Sequence, residues 1–474
     1  MTGPWRCSSR RRAGLALAAA TLALVASGAP ASAAPADATI VSEQRIDARL
    51  RELTIAAPAL AAETKVRVLL PDGYRADDGR RYPVLYLLHG AGGNETDWTD
   101  DGAAARATAG RPVIVVMPDG GRAGWYTDWS NDGAGGPPAW ERYHVRELIP
   151  LIDQRFRTVA ARRGRAIAGL SMGGFGAFSY AARHPDLFTA AASYSGGVDL
   201  NAELFGAPIG LIAVDGSLSL AGFDGVTGAT LFGDFVDENI LWRAHNPVDL
   251  AANLGGLKLA LYTGNGLPGG PFGPADGQDI IEVGAHQMNV NLDHRLNRLG
   301  LPHRWVDYGP GGHTWPYWRR DLRRTVPWLM KRFDHPRPVP RQVEFTAVEP
   351  SYQAYGWRVR LRRPNAEFST LSDARRRGFE LTGSGPAVVR TPSRYRPGAL
   401  YLARIRRAGN GPNGGMGRRA AHMRRIEATS SGRLRIPVRL AATNRFDEGS
   451  PPAAGGPVHS GTVRVAFSRL RGGR

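Results

Sequence analysis

The chain has 474 residues, is 42% hydrophobic and carries a formal net charge of +19 at pH 7. Its length suggests two domains, and its apolar fraction belongs to a folded protein rather than a disordered one. The only cysteine is Cys7, inside a segment expected to be removed, which excludes disulfides, cysteine nucleophiles and thiolate metal sites from the mature chain.

The first 34 residues read as a signal peptide. Arg10-Arg11-Arg12 supply the basic start, 13–25 a short apolar core, and Ala31-Ser32-Ala33 a small-residue cleavage site. The apolar run is too short to span a membrane. The protein is therefore expected to be secreted and extracellular, with cell-wall association as a possibility. Residues 35–334 are expected to form a catalytic domain. Strands are expected at 65–71, 83–88, 112–117, 166–170, 190–195, 257–263 and 304–308. Helices are expected at 140–156, from the 169–174 turn to about 183, and at 279–299 and 316–333. Continuous apolar strands alternating with helices predict an α/β fold, with a doubly wound, mostly parallel sheet covered on both faces.

Asp334-His335-Pro336-Arg337-Pro338-Val339-Pro340 opens a Pro-rich linker, placed at 335–342. Beyond it, 343–474 is read as a smaller all-β, sandwich-like domain. The stretches 357–362, 434–440 and 462–467 alternate apolar residues with Arg or other polar ones, the period of half-buried antiparallel strands. Loops are expected at 408–417 and 449–457. Residues 335–474 contain 27 Arg, no Lys and 8 acidic residues, so the whole net charge of +19 resides there. Such a surface suits an anionic partner, an envelope polymer or lipid head groups, or else is simply solvated.

Chemistry gathers around Gly169-Leu170-Ser171-Met172-Gly173. A buried strand, a Gly-x-Ser-x-Gly turn and a helix N-terminus are the surroundings of an exposed serine nucleophile. A serine hydroxyl needs a base, and the base needs an acid to orient it. His313 follows the last strand and is the candidate base. His184 is expected to cap a helix, and His144, His245, His286, His294 and His303 to be structural or solvated. After the 257–263 strand, where an acid is usual, the chain reads Gly264-Asn265-Gly266. The acid must come later, and Glu282 is preferred, with Asp279 and Asp276 as alternatives. The backbone N–H groups of Met172 and Ala91 are the candidate oxyanion donors. His89, Trp98 and Trp315 are the candidate substrate-binding residues. No His/Asp/Glu set has metal-ligand spacing, and neither a cofactor nor a nucleic-acid partner is expected.

From about residue 82 to 331 the chain resembles the secreted esterase and mycolyltransferase group of α/β-hydrolases that includes the antigen 85 proteins. The resemblance is carried by Tyr86-Leu87-Leu88-His89-Gly90, by Asp119-Gly120-Gly121 with Trp125-Tyr126-Thr127-Asp128-Trp129, and by Ser171-Met172-Gly173-Gly174. Tyr262-Thr263-Gly264-Asn265-Gly266 and Gly312-His313-Thr314-Trp315-Pro316-Tyr317-Trp318 complete it. It implies a glutamate orienting the histidine from the helix after Gly-Asn-Gly, which falls on Glu282, and oxyanion donors at Met172 and Ala91. It also implies that Trp315 lines the acyl or acceptor pocket. Where the mycolyltransferases carry Asp-Gly-Leu-Arg for trehalose, this chain has His89-Gly90-Ala91-Gly92, so trehalose does not carry over.

Three functions are weighed: a secreted serine esterase or acyltransferase passing an acyl group from Ser171 to a sugar hydroxyl or water; a plain carboxylesterase on small or polysaccharide-linked esters; and a non-catalytic envelope-binding protein on a hydrolase scaffold.

Overall fold

The computed structural model describes residues 37–77, 79–131, 139–272, 277–407, 421–449 and 459–470. The expected signal peptide at 1–34 with Cys7, the alternative acid Asp276, and the expected loops at 408–417 and, Gly449 apart, 449–457 lie outside the described residues.

A nine-stranded sheet organises the first three hundred residues. Its strands are β1 (Thr39–Arg45), β2 (Leu50–Ala57), β3 (Ala62–Leu69), β4 (Val84–Leu88), β5 (Ile114–Pro118), β6 (Arg165–Leu170), β7 (Ala190–Tyr194), β10 (Lys258–Thr263) and β11 (His303–Asp307). Two-residue strands β8 (Glu203–Leu204) and β9 (Ala207–Pro208) pair separately. The order is β1-β2-β3-β5-β4-β6-β7-β10-β11. From β5 through β11 every pairing is parallel, as the run of apolar strands and crossover helices requires. Every residue of β4, β5, β6 and β7 is buried. Alternate side chains serve two cores: Tyr86, Leu88 and Ile167 pack with Phe175 and Phe178 on one face, while Leu85, Leu87 and Ala168 pack with Leu322 and Val326 on the other.

The antiparallel start was not anticipated. What reads as a lead before the 65–71 strand is the hairpin of β1 and β2, which extends the sheet through antiparallel β3. β1 is almost wholly exposed and carries Glu43, Gln44 and Arg45. A polar edge strand has no apolar periodicity to read, and its charges discourage pairing with another chain. The segment between β7 and β10 adds helices Ile209–Leu220, Gly228–Phe232 and Asn239–His245.

After the helix Trp315–Asp334 the chain runs without regular structure to β12 (Val343–Ala347). Two antiparallel sheets follow. One has the order β12, β15 (Ser369–Arg375), β16 (Gly378–Gly383), β21 (Gly461–Arg469), β18 (Leu400–Arg407), β19 (His422–Glu427). The other has the order β13 (Ser351–Ala354), β14 (Trp357–Leu361), β17 (Pro386–Arg390), β20 (Arg435–Arg439). They enclose a separate core that includes Trp357, Val359, Leu381, Val389, Ile436 and Val465. In β14 the pattern Trp-Arg-Val-Arg-Leu alternates buried and exposed, the pleat expected of a half-buried strand.

This β region is tied to the α/β region by polar contacts. Arg183 at the end of the helix after Ser171 pairs with Glu141 at 3.0 Å and Glu349 at 2.6 Å, and His184 reaches the same Glu141 at 2.6 Å. Against the upward push of burial, Arg183 and His184 hold Glu141 well below the usual carboxylate range. Asn253 exchanges two hydrogen bonds of 2.8 Å with the Thr346 backbone.

Candidate active site

Ser171 occupies the turn between β6 and the helix Met172–Arg183. Its φ of 51° and ψ of −121° form a conformation that non-glycine residues adopt only when their surroundings impose it. The surroundings do so through backbone contact. A Cβ on Gly169 would lie 2.2 Å from the Gly173 oxygen, and one on Gly173 would lie 2.5 Å from the Leu88 and His89 oxygens. Hence both glycines of the motif are required, and the turn is pressed onto the end of β4. Ser171 N–H donates to Tyr194 O at 3.0 Å, fixing the turn to the neighbouring strand. Met172 is the first residue of the helix, where N–H groups lack intrahelical acceptors and the helix dipole favours negative charge.

The turn that carries Ala91 abuts this elbow. A Cβ on Gly90 would meet Leu170 Cδ1 at 2.5 Å and Ser171 Cβ at 3.3 Å. Gly92 N–H and Gly93 N–H close the turn onto Arg122 O and Gly90 O. Ala91 is exposed at its tip.

Glu282 and His313 are brought together. His313 Nδ1 lies 2.8 Å from Glu282 Oε2. Glu282 is fully buried, and its Oε1 accepts from Ser195 Oγ at 2.8 Å, Thr263 Oγ1 at 3.1 Å and Gly264 N–H at 2.6 Å. Four donors thus surround the buried carboxylate. His313 Nε2 is buried and has no hydrogen-bond partner among the described residues. Because Nδ1 faces a carboxylate, it carries the proton, and Nε2 is left with a free lone pair.

The Gly264-Asn265-Gly266 stretch directly after β10 is bound through its backbone. Its amides are used as donors: Gly264 to Glu282, Asn265 to Gly309 O at 2.9 Å and Gly266 to Gly311 O at 3.0 Å. It thus clamps the loop that presents His313. Asp279 holds that loop from the other side. Its Oδ1 caps the helix Ile280–Arg298 through Ile281 and Glu282 N–H, and its Oδ2 accepts from His313 N–H at 2.6 Å. Asp279 therefore fixes the backbone of His313, and the carboxylate on its ring is that of Glu282.

Two of the expected substrate contacts lie in the interior of the folded chain. His89 is 1% exposed, with Nδ1 2.7 Å from Gly90 O and Nε2 accepting Gly120 N–H at 2.8 Å. With both nitrogens engaged by backbone, His89 shapes the loops around the elbow. Trp98 is also 1% exposed and donates to Leu88 O at 2.8 Å. Both residues follow or face the catalytic edge of the sheet in sequence, which is why they looked available. Trp315 is only half-buried; it packs edge-on against Trp98 and Trp318 at 5.3 and 5.2 Å, and Trp318 in turn packs against His313 at 5.0 Å. Trp98 thus braces the tryptophan that the sequence placed at the pocket.

Other histidines are engaged elsewhere. His144 bonds Tyr180 OH and Asp119 O, and burial pushes its pKa down to about 4. His286 and His303 pair with Asp307 and Asp293. The residue that sequence reasoning missed is Ser195. It follows β7 as Ser171 follows β6, has a φ of 48°, and its position in Tyr194-Ser195-Gly196-Gly197 was the available signal.

Behind Trp318, Asp321 is fully buried. Burial pushes its carboxyl pKa up to about 7, partly offset by Arg320, whose Nε is 3.2 Å away. The folded state therefore holds a proton that the unfolded chain releases near pH 4, so this group's contribution to stability falls as pH rises from ~4 to ~7. Asp321→Asn is expected to narrow the difference in Tm between pH 5 and pH 8, measured by calorimetry at both values.

Comparison with known proteins gives consistent relatives. The Esterase family model matches residues 57–329. The chain is 38% identical over 276 residues to Esterase Rv1288 of Mycobacterium tuberculosis, covering 58% of each. The chain thus spans under two thirds of that relative's length. It is 28% identical over 282 residues to the diacylglycerol acyltransferase/mycolyltransferase Ag85B of Mycobacterium leprae, covering 57% of this chain and 80% of that one. A solved ferulic acid esterase is similar at 23% identity and a TM-score of 0.45, covering 60% of this chain and 98% of that one.

Proposed function

The chain belongs to the Esterase family, and from that membership we propose that it is an exported serine enzyme that forms an acyl-enzyme on Ser171 and passes the acyl group to a sugar hydroxyl or to water. The observation that carries this reading is the Glu282–His313 pair at 2.8 Å, with His313 Nε2 buried and unpartnered, in a chain whose Ser171 sits on a strained elbow. Ser171 Oγ attacks the ester carbonyl and His313 Nε2 accepts its proton. Glu282 stabilises the imidazolium through Nδ1–H. The oxyanion accepts the N–H groups of Met172 and Ala91. His313 then protonates the departing alcohol, and the same nitrogen activates the incoming acceptor hydroxyl. Export rests on the expected signal peptide; among the described residues no helix is long and apolar enough to cross a membrane.

The residues between β10 and Glu282 support an apolar acyl donor. Ile280 and Ile281 are 71% and 56% exposed, and Leu267 and Phe272 also face solvent. Exposed aliphatic groups beside a reaction centre favour a hydrocarbon chain over a charged one. The second reading, plain ester hydrolysis, is supported by the 89–93 turn, in which Ala91 and Gly92 offer no polar side chain to hold a sugar.

The two readings separate on partition. With a nitrophenyl ester as donor and increasing glucose or trehalose, transfer predicts a sugar ester accumulating at the expense of free acid. Free acid alone at every sugar concentration supports hydrolysis.

A further inference from the structure

The β sandwich contains a groove of about 860 Å³ that the acyl chemistry does not use. Arg360, Arg362, Arg407, Arg424, Arg435 and Arg439 line it, with His422 beside them and Val388 and Pro437 on its floor. Among the described residues no carboxylate lines it.

A row of cations that ends on one of the lining residues, Arg435, carries an electrostatic cost. On the exposed face of the four-stranded sheet, Arg358 stands directly opposite Arg390, and Arg390 directly opposite Arg435, so three guanidinium groups form one row across three strands. Like charges directly opposite one another destabilise a sheet. Five carboxylates of this region are paired elsewhere. Glu349 pairs with Arg183, Glu367 with buried Arg363, Asp373 with Arg375, Glu380 with Arg464 and Glu448 with Arg243. A solvated face needs neither a concavity nor this register. An anionic ligand accounts for both.

The lining decides what kind of anion. Among the described residues no Phe, Tyr or Trp lines the groove, so bases of a single-stranded nucleic acid would find no ring there to stack on. The cations line a concavity without aromatic anchors, whereas a bilayer surface is met by an apolar face with aromatic residues beside the basic ones. Arginines two apart on one strand lie about 6.6 Å from each other, and neighbours across strands about 4.8 Å. Repeated anionic groups along an extended chain suit that grid, and a planar guanidinium binds carboxylate or phosphate through two parallel hydrogen bonds.

We propose that the groove bounded by strands β14, β17, β20, β18 and β19 binds an extended polyanionic glycan or polyol chain bearing carboxylate or phosphodiester groups. Such a site would hold the enzyme on an acidic polymer while the α/β region works on esters. It stands independently of the acyl-enzyme reading, because binding is measured without turnover.

The test uses the full chain and fluorescein-labelled polygalacturonate and poly(glycerol phosphate), with neutral dextran, oligo(dT) and phosphatidylglycerol vesicles alongside, in about 50 and about 300 mM NaCl. At least one of the two polymers is expected to bind, more weakly at high salt, and dextran is not. Which polymer binds tells carboxylate from phosphodiester. The triple variant R360A/R435A/R439A is expected to lose at least ~10-fold in affinity, while the matched triple R404A/R406A/R425A, of equal charge change on the same domain, loses less than ~3-fold. Both triples should hydrolyse a soluble ester at the parent rate and keep the parent's circular dichroism spectrum and Tm, which shows that both regions are folded. The proposal is overturned if neither polymer binds, if the two triples weaken binding equally, or if oligo(dT) or vesicles bind more tightly than both polymers.

Discussion

Ser171→Ala is expected to lower kcat for a short-chain nitrophenyl ester by on the order of 10⁴–10⁶-fold, with an unchanged circular dichroism spectrum. Alanine keeps the turn: the methyl group occupies the same Cβ position, and the Ser171 N–H to Tyr194 O bond does not involve the hydroxyl. Only the attacking oxygen is removed. Residual rate over water should come from Met172, Ala91 and binding alone, so KM should change far less than kcat. A variant that retained more than about a tenth of the parent rate would assign the nucleophile elsewhere, since a removed nucleophile leaves no such fraction. If the intact parent were folded and inactive on every ester offered, the non-catalytic reading of the scaffold would take precedence.

Glu282→Gln is expected to cost kcat on the order of 10³–10⁴-fold for a different reason. Three donors, Ser195 Oγ, Thr263 Oγ1 and Gly264 N–H, converge on Oε1, so the amide oxygen of glutamine is held there. The amide NH₂ then faces His313 Nδ1, which must accept rather than donate. That moves the ring proton to Nε2, the nitrogen that has to receive the proton of Ser171. The loss should appear in kcat with little change in KM. Asp279→Asn tests the alternative acid. Asp279 Oδ2 bonds the His313 backbone and Oδ1 caps a helix, so its substitution should loosen the loop and lower Tm by a few degrees, as the loss of a cap does. A larger kcat loss in Asp279→Asn than in Glu282→Gln would reverse the assignment.

What the sequence disclosed was local chemistry set on periodic elements. The elbow was legible because strand, glycines, serine and helix follow one another within a few residues, although Gly173 is also dictated by the distant backbone of Leu88 and His89. The His313 loop was legible because one histidine follows the last strand. The displacement of the acid to a helix was inferred from an absence at Gly264-Asn265-Gly266. In the structure those amides are donors to Glu282 and to the loop of His313. Less legible were features that depend on distant partners. Whether His89 and Trp98 face a ligand or a neighbouring backbone depends on Gly120 and Leu88 in the folded chain. The β1–β2 hairpin was hidden by a polar edge strand, and Ser195 by a role that exists only once Glu282 arrives. In the C-terminal region the alternation of Arg with apolar residues disclosed strands with one charged face. It could not disclose that Arg358, Arg390 and Arg435 fall in one cross-strand row, because register is set by pairing.

The central claim is a covalent acyl group on Ser171. It is tested most directly by rapid acid quench during turnover of a slow acyl donor, followed by trypsin and fragment mass spectrometry. The peptide spanning 166–183 contains both Ser171 and Ser179, so fragment ions must distinguish them. The account predicts an added acyl mass on Ser171, absent from Ser171→Ala and released when an acceptor is supplied. Turnover at the same rate with no adduct on that peptide, or an adduct on Ser179 or another residue, would contradict it.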